Sequence, residues 1–230
     1  MKKLLLTLVA ATMILCSCNN TKQFKVTLNL DNADGKMVYL NKANGIIEMC
    51  VDSVVFKGNT AVLNVDFGDP QTKYIIKYDK YETCVVFPFF SENQNITITG
   101  DYDDMVHWTA VGTHSLDEFN AFRQHSIQIE DATMAIVQEM EAICAEGDTI
   151  RCQELWSQAL AGMDEYNVLM IDYIKNHPDD IMAHYMLDNS KKSFEPEVLK
   201  EIVESFTIET EYSKNVKNFI EEYEAMMPLE

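Results

Sequence analysis

Phe24-Lys25-Val26-Thr27-Leu28-Asn29-Leu30 decides the fold class, because apolar and polar residues alternate strictly along it. Alternation with a period of two predicts a strand with one buried and one solvated face. Asp34-Gly35 then predicts a tight hairpin turn into the apolar stretch 37–40. Further strands are predicted around residues 47–51, 54–56, 62–65, 74–78, 84–89 and 96–99. Successive short strands without a helical pattern predict an antiparallel β-sandwich over residues 24–112, with a barrel-like sheet as the alternative.

After residue 112 the apolar period lengthens to that of an amphipathic helix. Ser115 and Glu118 form a capping-box pattern that predicts a helix start, and the apolar side of this helix continues to a break at Gly147. A second long helix is predicted from Asp148 to residue 177, followed by shorter ones near residues 179–187, 196–206 and 213–226. We therefore expect an α+β protein in which a C-terminal helical bundle, residues 113–230, follows the β-sandwich.

The composition limits the classes of function. The 230 residues are 47% hydrophobic, which provides enough apolar side chains for a buried core. Eighteen basic residues stand against 37 acidic ones, a net charge of −19 that would repel a phosphate backbone. We therefore expect no nucleic-acid partner. Most carboxylates of the helical half are interpreted as a solvated helix face, with an acidic partner site as the alternative.

The first eighteen residues predict a lipoprotein signal peptide. Two lysines precede an apolar run, residues 4–15, that is too short to span a bilayer and is typical of a signal-peptide core. Leu15-Cys16-Ser17-Cys18 resembles a bacterial lipobox, which implies cleavage after residue 17 and a lipid on the thiol of Cys18. Ordinary secretion is the alternative. If Cys18 carries a lipid, residues 18–23 form a short lipidated tether.

The predicted lipid also predicts a location. Several buried acyl chains, palmitate among them, would hold the protein on a membrane almost permanently. Asn19 follows Cys18 where a retention signal would have Asp, which favours the outer membrane. We expect a lipid-anchored protein of the cell envelope that faces the periplasm or the exterior.

Several motifs in a fixed order carry a family resemblance. After the lipobox come Phe24-Lys25-Val26, residues 34–40, Asp52-Ser53, residues 96–101 and Val111-Gly112-Thr113, with residues 173–178 further on in the helical half. This layout is similar to an uncharacterised β-sandwich domain, a domain of unknown function, at the N-terminus of lipid-anchored thiol–disulfide oxidoreductases. In those proteins a helical segment and then a thioredoxin-like domain follow. The resemblance therefore implies an envelope location and a redox partner, but no catalytic residue.

The cysteines do not follow the pattern of a thiol–disulfide oxidoreductase. They are residues 16, 18, 50, 84, 144 and 152, and no two of them form a Cys-x-x-Cys pair. Thiol–disulfide exchange needs an attacking thiolate and a resolving thiol close by. We therefore expect the accessory half of such an oxidoreductase without its thioredoxin-like domain, and neither catalysis nor a cofactor.

Three functions are compatible with these observations. The first is a non-catalytic binding or scaffold module of the cell envelope, with a thioredoxin-like protein as a candidate partner. The second is a redox sensor or thiol–disulfide enzyme that uses Cys144 and Cys152. The third is a lipoprotein that binds carbohydrate or peptide on an aromatic surface.

Two of the cysteines flank a predicted interhelical loop. Antiparallel helices joined by residues 145–151 could bring Cys144 and Cys152 within bridging distance, so either a disulfide or two separate buried thiols is expected. Cys50 and Cys84 lie on predicted strands and are expected to be packed thiols.

Two further groups of residues are candidate sites. Asp180, His184 and Asp188 would share a helix face, with His177 nearby, but no fourth metal ligand follows at a diagnostic spacing, so we expect a polar face and no metal. The densest aromatic cluster is expected either in the core or at a domain interface, or as a binding surface. Its candidate binding residues are Tyr74, Tyr78, Phe87 and Phe89.

Overall fold

A computed structural model describes residues 22–44, 47–78 and 87–226 of the chain. The predicted signal peptide, the lipidation site Cys18 and the thiol of Cys84 lie outside these residues. The strands are β1 (Gln23–Asp31), β2 (Met37–Asn44), β3 (Ile47–Val55), β4 (Thr60–Asp66), β5 (Lys73–Lys77), β6 (Phe87–Phe90), β7 (Ile96–Asp101) and β8 (Asp104–Val111).

The strands form two four-stranded sheets, in the orders β4-β1-β7-β8 and β3-β2-β5-β6. All neighbours are antiparallel except β1 and β7, which run parallel. The α+β class with an N-terminal sandwich dominated by antiparallel strands is thus confirmed. The hairpin predicted at Asp34-Gly35 is wrong, because β1 and β2 belong to different sheets. The turn carries the chain from one sheet to the other.

The core lies between the two sheets and follows the alternation of β1. Phe24, Val26, Leu28 and Leu30 are all buried and pack against residues of the opposite sheet such as Leu40. Burying a large apolar side chain contributes about 1.5–3 kcal/mol relative to leaving it exposed. The alternating sequence therefore places one face of β1 in the core and the other outside.

Strand β8 was not predicted from the sequence. Its buried side chains Met105 and Trp108 are three residues apart, and the pairing register of β7 with β8 shifts between Thr99 and Asp101. The indole N–H of Trp108 donates to the carbonyl oxygen of Asp101 at 2.7 Å. The irregular register removes the period of two that would have marked a strand.

Five α-helices follow the sheets in the described part of the chain. The first two are long and antiparallel, and Gly147 ends the first with a φ of 87°, which confirms the predicted break. The predicted capping residue is wrong by two positions: Thr113, not Ser115, accepts the N–H of Leu116. The helices are α1 (His114–Glu146), α2 (Thr149–Asn176), α3 (Ile181–Ser190), α4 (Pro196–Ser205) and α5 (Glu211–Met226), with a short 3₁₀ turn at Lys191–Ser193.

The helical region packs on the outer face of the second sheet. Phe90 of β6 is fully buried against Ile181 and Met182 of α3 and Tyr212 of α5. Glu92, in the turn after β6, accepts the N–H groups of His114 and Ser115 at the start of α1. Within residues 22–44, 47–78 and 87–226, no helix combines the length and apolarity needed to cross a membrane.

Candidate functional site

Helices α1 and α2 form a long hairpin that has two different parts. The side chains that join the apolar clusters of the base lie at residues 116–122 and 166–174. Between residues 127 and 169, only Leu155 and Ala159 are buried. Helix α1 continues about 22 Å beyond Asp131, at a rise of 1.5 Å per residue. The far part of the hairpin, residues 132–163, is therefore held together by contacts between its own two helices.

An apolar groove runs between the two helices from the middle of the hairpin into its far part. It encloses about 590 Å³ and is lined on α1 by residues such as Met134 and Val137 and on α2 by Met163 and Tyr166. Met134 is 57% exposed and Met163 is 55% exposed. Large apolar side chains that form a continuous exposed surface mark an interaction site more often than scattered ones do. We call this surface the hairpin groove.

The exposed apolar strip continues along α2 towards the tip of the hairpin. Trp156 precedes Met163 by seven residues, which is close to two full helical turns, so both side chains leave the helix in nearly the same direction. Trp156 is 53% exposed, and Leu160, between them, is 41% exposed. The strip lengthens the hairpin groove by about 10 Å at 1.5 Å per residue.

A glycine sets the close approach of the two helices at the groove. A Cβ added at Gly162 would overlap Oγ1 of Thr133 on the facing helix. Gly162 has no side chain, which leaves room for the side chain of Thr133 between the two helices. Met134 and Met163 each follow one of these two contact residues and leave their helices about 100° round from the contact, where they line the groove.

Arg123 fixes the base of the groove. Its guanidinium donates to Oγ of Ser126 at 3.0 Å, to Glu130 at 2.9 Å and to the carbonyl oxygen of Val106 at 3.0 Å. The last of these bonds ties α1 to strand β8. A guanidinium satisfied on three sides is rigid, so the lower end of the groove has a defined shape.

His107 makes a second connection between β8 and α1. Its Nδ1 lies 2.7 Å from Asp104, and its Nε2 lies 3.4 Å from Asp131 of the helix. The hydrogen bond with Asp104, and then that with Asp131, raises the pKa of His107. Protonation therefore strengthens the link between the sandwich and the hairpin.

A disulfide closes the tip of the hairpin. Cys144 and Cys152, the candidate pair, are bonded, with Cα atoms 5.4 Å apart. Nearby, Arg151 pairs with Glu139 of the facing helix at 2.9 Å and with Glu154 at 3.1 Å. The covalent bond keeps the two helix ends together where few buried side chains do so.

The structure shows that the predicted aromatic binding surface is wrong and that its residues belong to the core. Tyr74 and Phe89 are buried between the sheets and stack on each other, with ring centroids 5.6 Å apart. Tyr78 and Phe87 are partly buried and pack against the same core, each beside Trp108. The alternation that buries one face of each strand places these rings inside the sandwich, so they do not form an exposed surface for a ligand.

The residues considered for a metal site have other partners. The carboxylate of Asp180 is buried and accepts from Ser115 Oγ at 2.7 Å, from the Tyr173 hydroxyl at 3.0 Å and from the N–H of Met182 at 2.8 Å. Burial raises the pKa of Tyr173, which keeps its hydroxyl protonated as a donor. Asp180 thus caps α3 and joins it to both long helices.

His184 and Asp188, the two other residues of that predicted polar face, also have hydrogen-bond or ion-pair partners. His184 is buried between Oγ1 of Thr210 and the carbonyl oxygen of Pro178, each 3.0 Å away, and burial lowers its pKa. Asp188 pairs with Lys191 at 2.7 Å. Within the described part of the chain, no group of three His, Cys, Asp or Glu side chains is arranged to hold a metal ion.

The prediction of a packed thiol at Cys50 is wrong. Cys50 is free and exposed, as are all the residues from Ile47 to Val51 in the first half of strand β3. The residues that sequence reasoning missed are those of the hairpin groove. Exposed apolar residues at helical spacing, such as Trp156, Leu160 and Met163, were the available signal, but the same spacing is typical of a core-facing helix.

Comparison with known proteins identifies one region. Residues 24–119 match the family model of a domain of unknown function, DUF4369. The expected uncharacterised N-terminal domain is therefore confirmed. This match covers the two sheets and the first residues of α1, and it does not include the hairpin groove. Searches of the curated proteins and of the solved structures gave no match.

Proposed function

We propose that this chain is a lipid-anchored protein of the cell envelope that binds a partner through the hairpin groove and performs no catalysis. The observation that carries the proposal is the exposed apolar lining of that groove, with Met134 and Met163 both more than half exposed. Leaving such side chains in water has no benefit for the isolated protein, whereas covering them gains roughly 25 cal/mol for each Å² buried.

The rest of the fold is suited to holding the hairpin. The two sheets share one core, and α1 is fixed on β8 by the hydrogen bond that Arg123 donates to the carbonyl oxygen of Val106 and by the contact between His107 and Asp131. A groove on rigid elements loses little conformational freedom when it is occupied, which favours binding. The sandwich is therefore proposed to be the platform and the hairpin the binding element.

The anchoring part of the proposal rests on the sequence of the lipobox. Cells that express the full chain would be labelled with radioactive palmitate, beside the variants Cys18→Ala and Cys16→Ala. We expect label and membrane location with Cys16→Ala and with the unchanged chain, and neither with Cys18→Ala. Equal labelling of all three, or none in the unchanged chain, would remove the anchor from the proposal.

The resemblance to the N-terminal domain of lipid-anchored oxidoreductases supports a particular partner. A thioredoxin-like protein of the same envelope is the candidate, and co-purification of the acylated chain with it tests this directly. Met163→Lys should abolish the co-purification, while Val168→Lys, an equally exposed position on another side of α2, should not. If the Met163→Lys variant still co-purifies with the partner, the partner does not bind at the groove.

The disulfide supports a second candidate function. Cys144 is exposed at the tip of the hairpin, so a reductant can reach the bond with Cys152. In this alternative the chain would be a redox sensor whose hairpin loosens on reduction. Thiol titration across a series of glutathione ratios decides the matter, because a structural bond resists the whole series and a sensor bond opens within it.

A further inference from the structure

We infer that the partner surface that fits the hairpin groove is a cationic amphipathic helix. The inference rests on the proposed function and specifies the chemistry of its partner. It combines the shape and apolar lining of the groove with the charge around it. Each of these properties selects among the possible occupants.

The groove has the shape of a helix-binding site. The antiparallel helices α1 and α2 form the two walls of an elongated apolar depression, which is lined by Met134, Val137 and Met163. Trp156 and Met163 are two helical turns apart on one wall, a spacing that matches anchor residues at positions i, i+3 or i+4, and i+7 of a partner helix. Methionine side chains are flexible and polarisable, so they adapt to several apolar anchors. A third helix laid in the groove would complete a three-helix bundle.

The charge around the groove is strongly negative. Residues 123–168 contain nine acidic side chains and two basic ones, Arg123 and Arg151, a net charge of −7. Glu141 follows Met134 by seven residues and so lies on the same side of α1, whereas Asp164, next to Met163 in sequence, leaves α2 about 100° further round, away from α1. Neither carboxylate has an ion-pair partner among the described residues. Glu141 thus places a free negative charge on the groove side of α1, and Asp164 adds another on the same stretch of α2.

These charges discriminate between the possible occupants. A second copy of the hairpin would bring another charge of −7 to the same surface, and an anionic lipid surface would be repelled in the same way. A helix with lysine or arginine beside its apolar anchors would instead meet the carboxylates while its anchors fill the groove. Complementary charge speeds association and excludes competing partners. The occupant is therefore a basic helix.

The buried and exposed tryptophans provide a direct assay. The chain has two, and Trp108 is 2% exposed in the sandwich core, whereas Trp156 is 53% exposed beside the groove. Occupation of the groove should shift the emission of Trp156 to shorter wavelength and protect it from acrylamide. Trp108 should not respond.

The probe is a synthetic 18-residue peptide with leucine at i, i+3 or i+4, and i+7, and with lysine on its other positions. A peptide with the same leucines and glutamate in place of lysine, and a scrambled lysine–leucine peptide, are the controls. The full chain is used in zwitterionic lipid discs if palmitate labels it, and in buffer if palmitate does not, so binding and anchoring are tested independently. We expect the Trp156 response with the first peptide only.

Matched variants distinguish the groove from general attraction. Met163→Lys and the double variant Glu141→Lys/Asp164→Lys should each weaken binding at least 10-fold. Val168→Lys and the double variant Glu197→Lys/Glu222→Lys, which changes the net charge equally on α4 and α5, should leave binding within 2-fold. Thermal unfolding of each variant shows that the fold is kept, since all of these side chains are exposed.

Four outcomes would overturn the inference. They are no response to the cationic peptide, an equal response to the glutamate or scrambled peptide, equal weakening by both double variants, and a concentration-dependent shift of Trp156 without any peptide. The last would assign the groove to a second copy of the chain. None of them affects the palmitate result, so the anchoring proposal stands or falls separately.

Discussion

Asp180→Ala is expected to be the most destabilising change of a single polar residue in the helical region. Asp180 is 7% exposed, and its carboxylate accepts three hydrogen bonds from three different helices. The variant removes the cap of α3, which costs about 1 kcal/mol. It also leaves the buried hydroxyls of Ser115 and Tyr173 without their charged acceptor, at about 1.5 kcal/mol each. The expected loss in the free energy of unfolding is about 4 kcal/mol.

The assay is urea unfolding followed by circular dichroism at 222 nm, supported by the thermal midpoint. A loss of about 4 kcal/mol lowers the midpoint by roughly 8–16 °C in a chain of this size. Asp179→Ala is the matched control, because the neighbouring carboxylate is exposed and its removal should cost less than about 0.5 kcal/mol.

A double-mutant cycle tests the network itself. Tyr173→Phe alone should cost about 1–1.5 kcal/mol, since it leaves one lone pair of Asp180 without a donor. Added to Asp180→Ala, the same change should cost almost nothing, because the acceptor is already absent. Additive effects, or an Asp180→Ala loss no larger than that of Asp179→Ala, would refute the reasoning that this carboxylate joins the three helices.

Three other changes follow from the structure. Cys152→Ser should lower the free energy of unfolding by about 2.5 kcal/mol, as measured by urea unfolding, because the bond closes a loop with a sequence separation of 8; an unchanged midpoint would contradict this. The pKa of His107, followed by NMR, should lie above 6.5 and fall in Asp131→Asn. The stability that His107 contributes is therefore present below pH 6.5 and lost as the pH rises through the folded-state pKa; the opposite slope would refute the link. Phe89→Ala should lower the free energy of unfolding by about 3–5 kcal/mol, as measured by thermal unfolding. Phe67→Ala should lower it much less, because the Phe67 side chain is 44% exposed.

Most elements of this fold, though not strand β8, could be predicted from the sequence because each depends on neighbours within a few residues. The alternation from Phe24 to Leu30 predicts a strand through the period of two, and Gly147 ends a helix through its own backbone freedom. The proximity of Cys144 and Cys152 follows from the short loop between two antiparallel helices. These features needed no knowledge of distant contacts.

The tertiary structure decided the rest, because those features depend on residues that are distant in sequence. The parallel pairing of β1 with β7 and the assignment of β1 and β2 to different sheets are set by packing, not by the turn at Asp34-Gly35. The same holds for the aromatic rings: alternation fixes which residues share a face, but only the second sheet makes that face an interior. The hairpin groove is the clearest case, since Met134 and Met163 have the spacing of core residues and lie in water because nothing in the described chain covers them. A sequence states which side chains leave a helix together, and only the packing of the whole chain determines whether they meet protein or solvent.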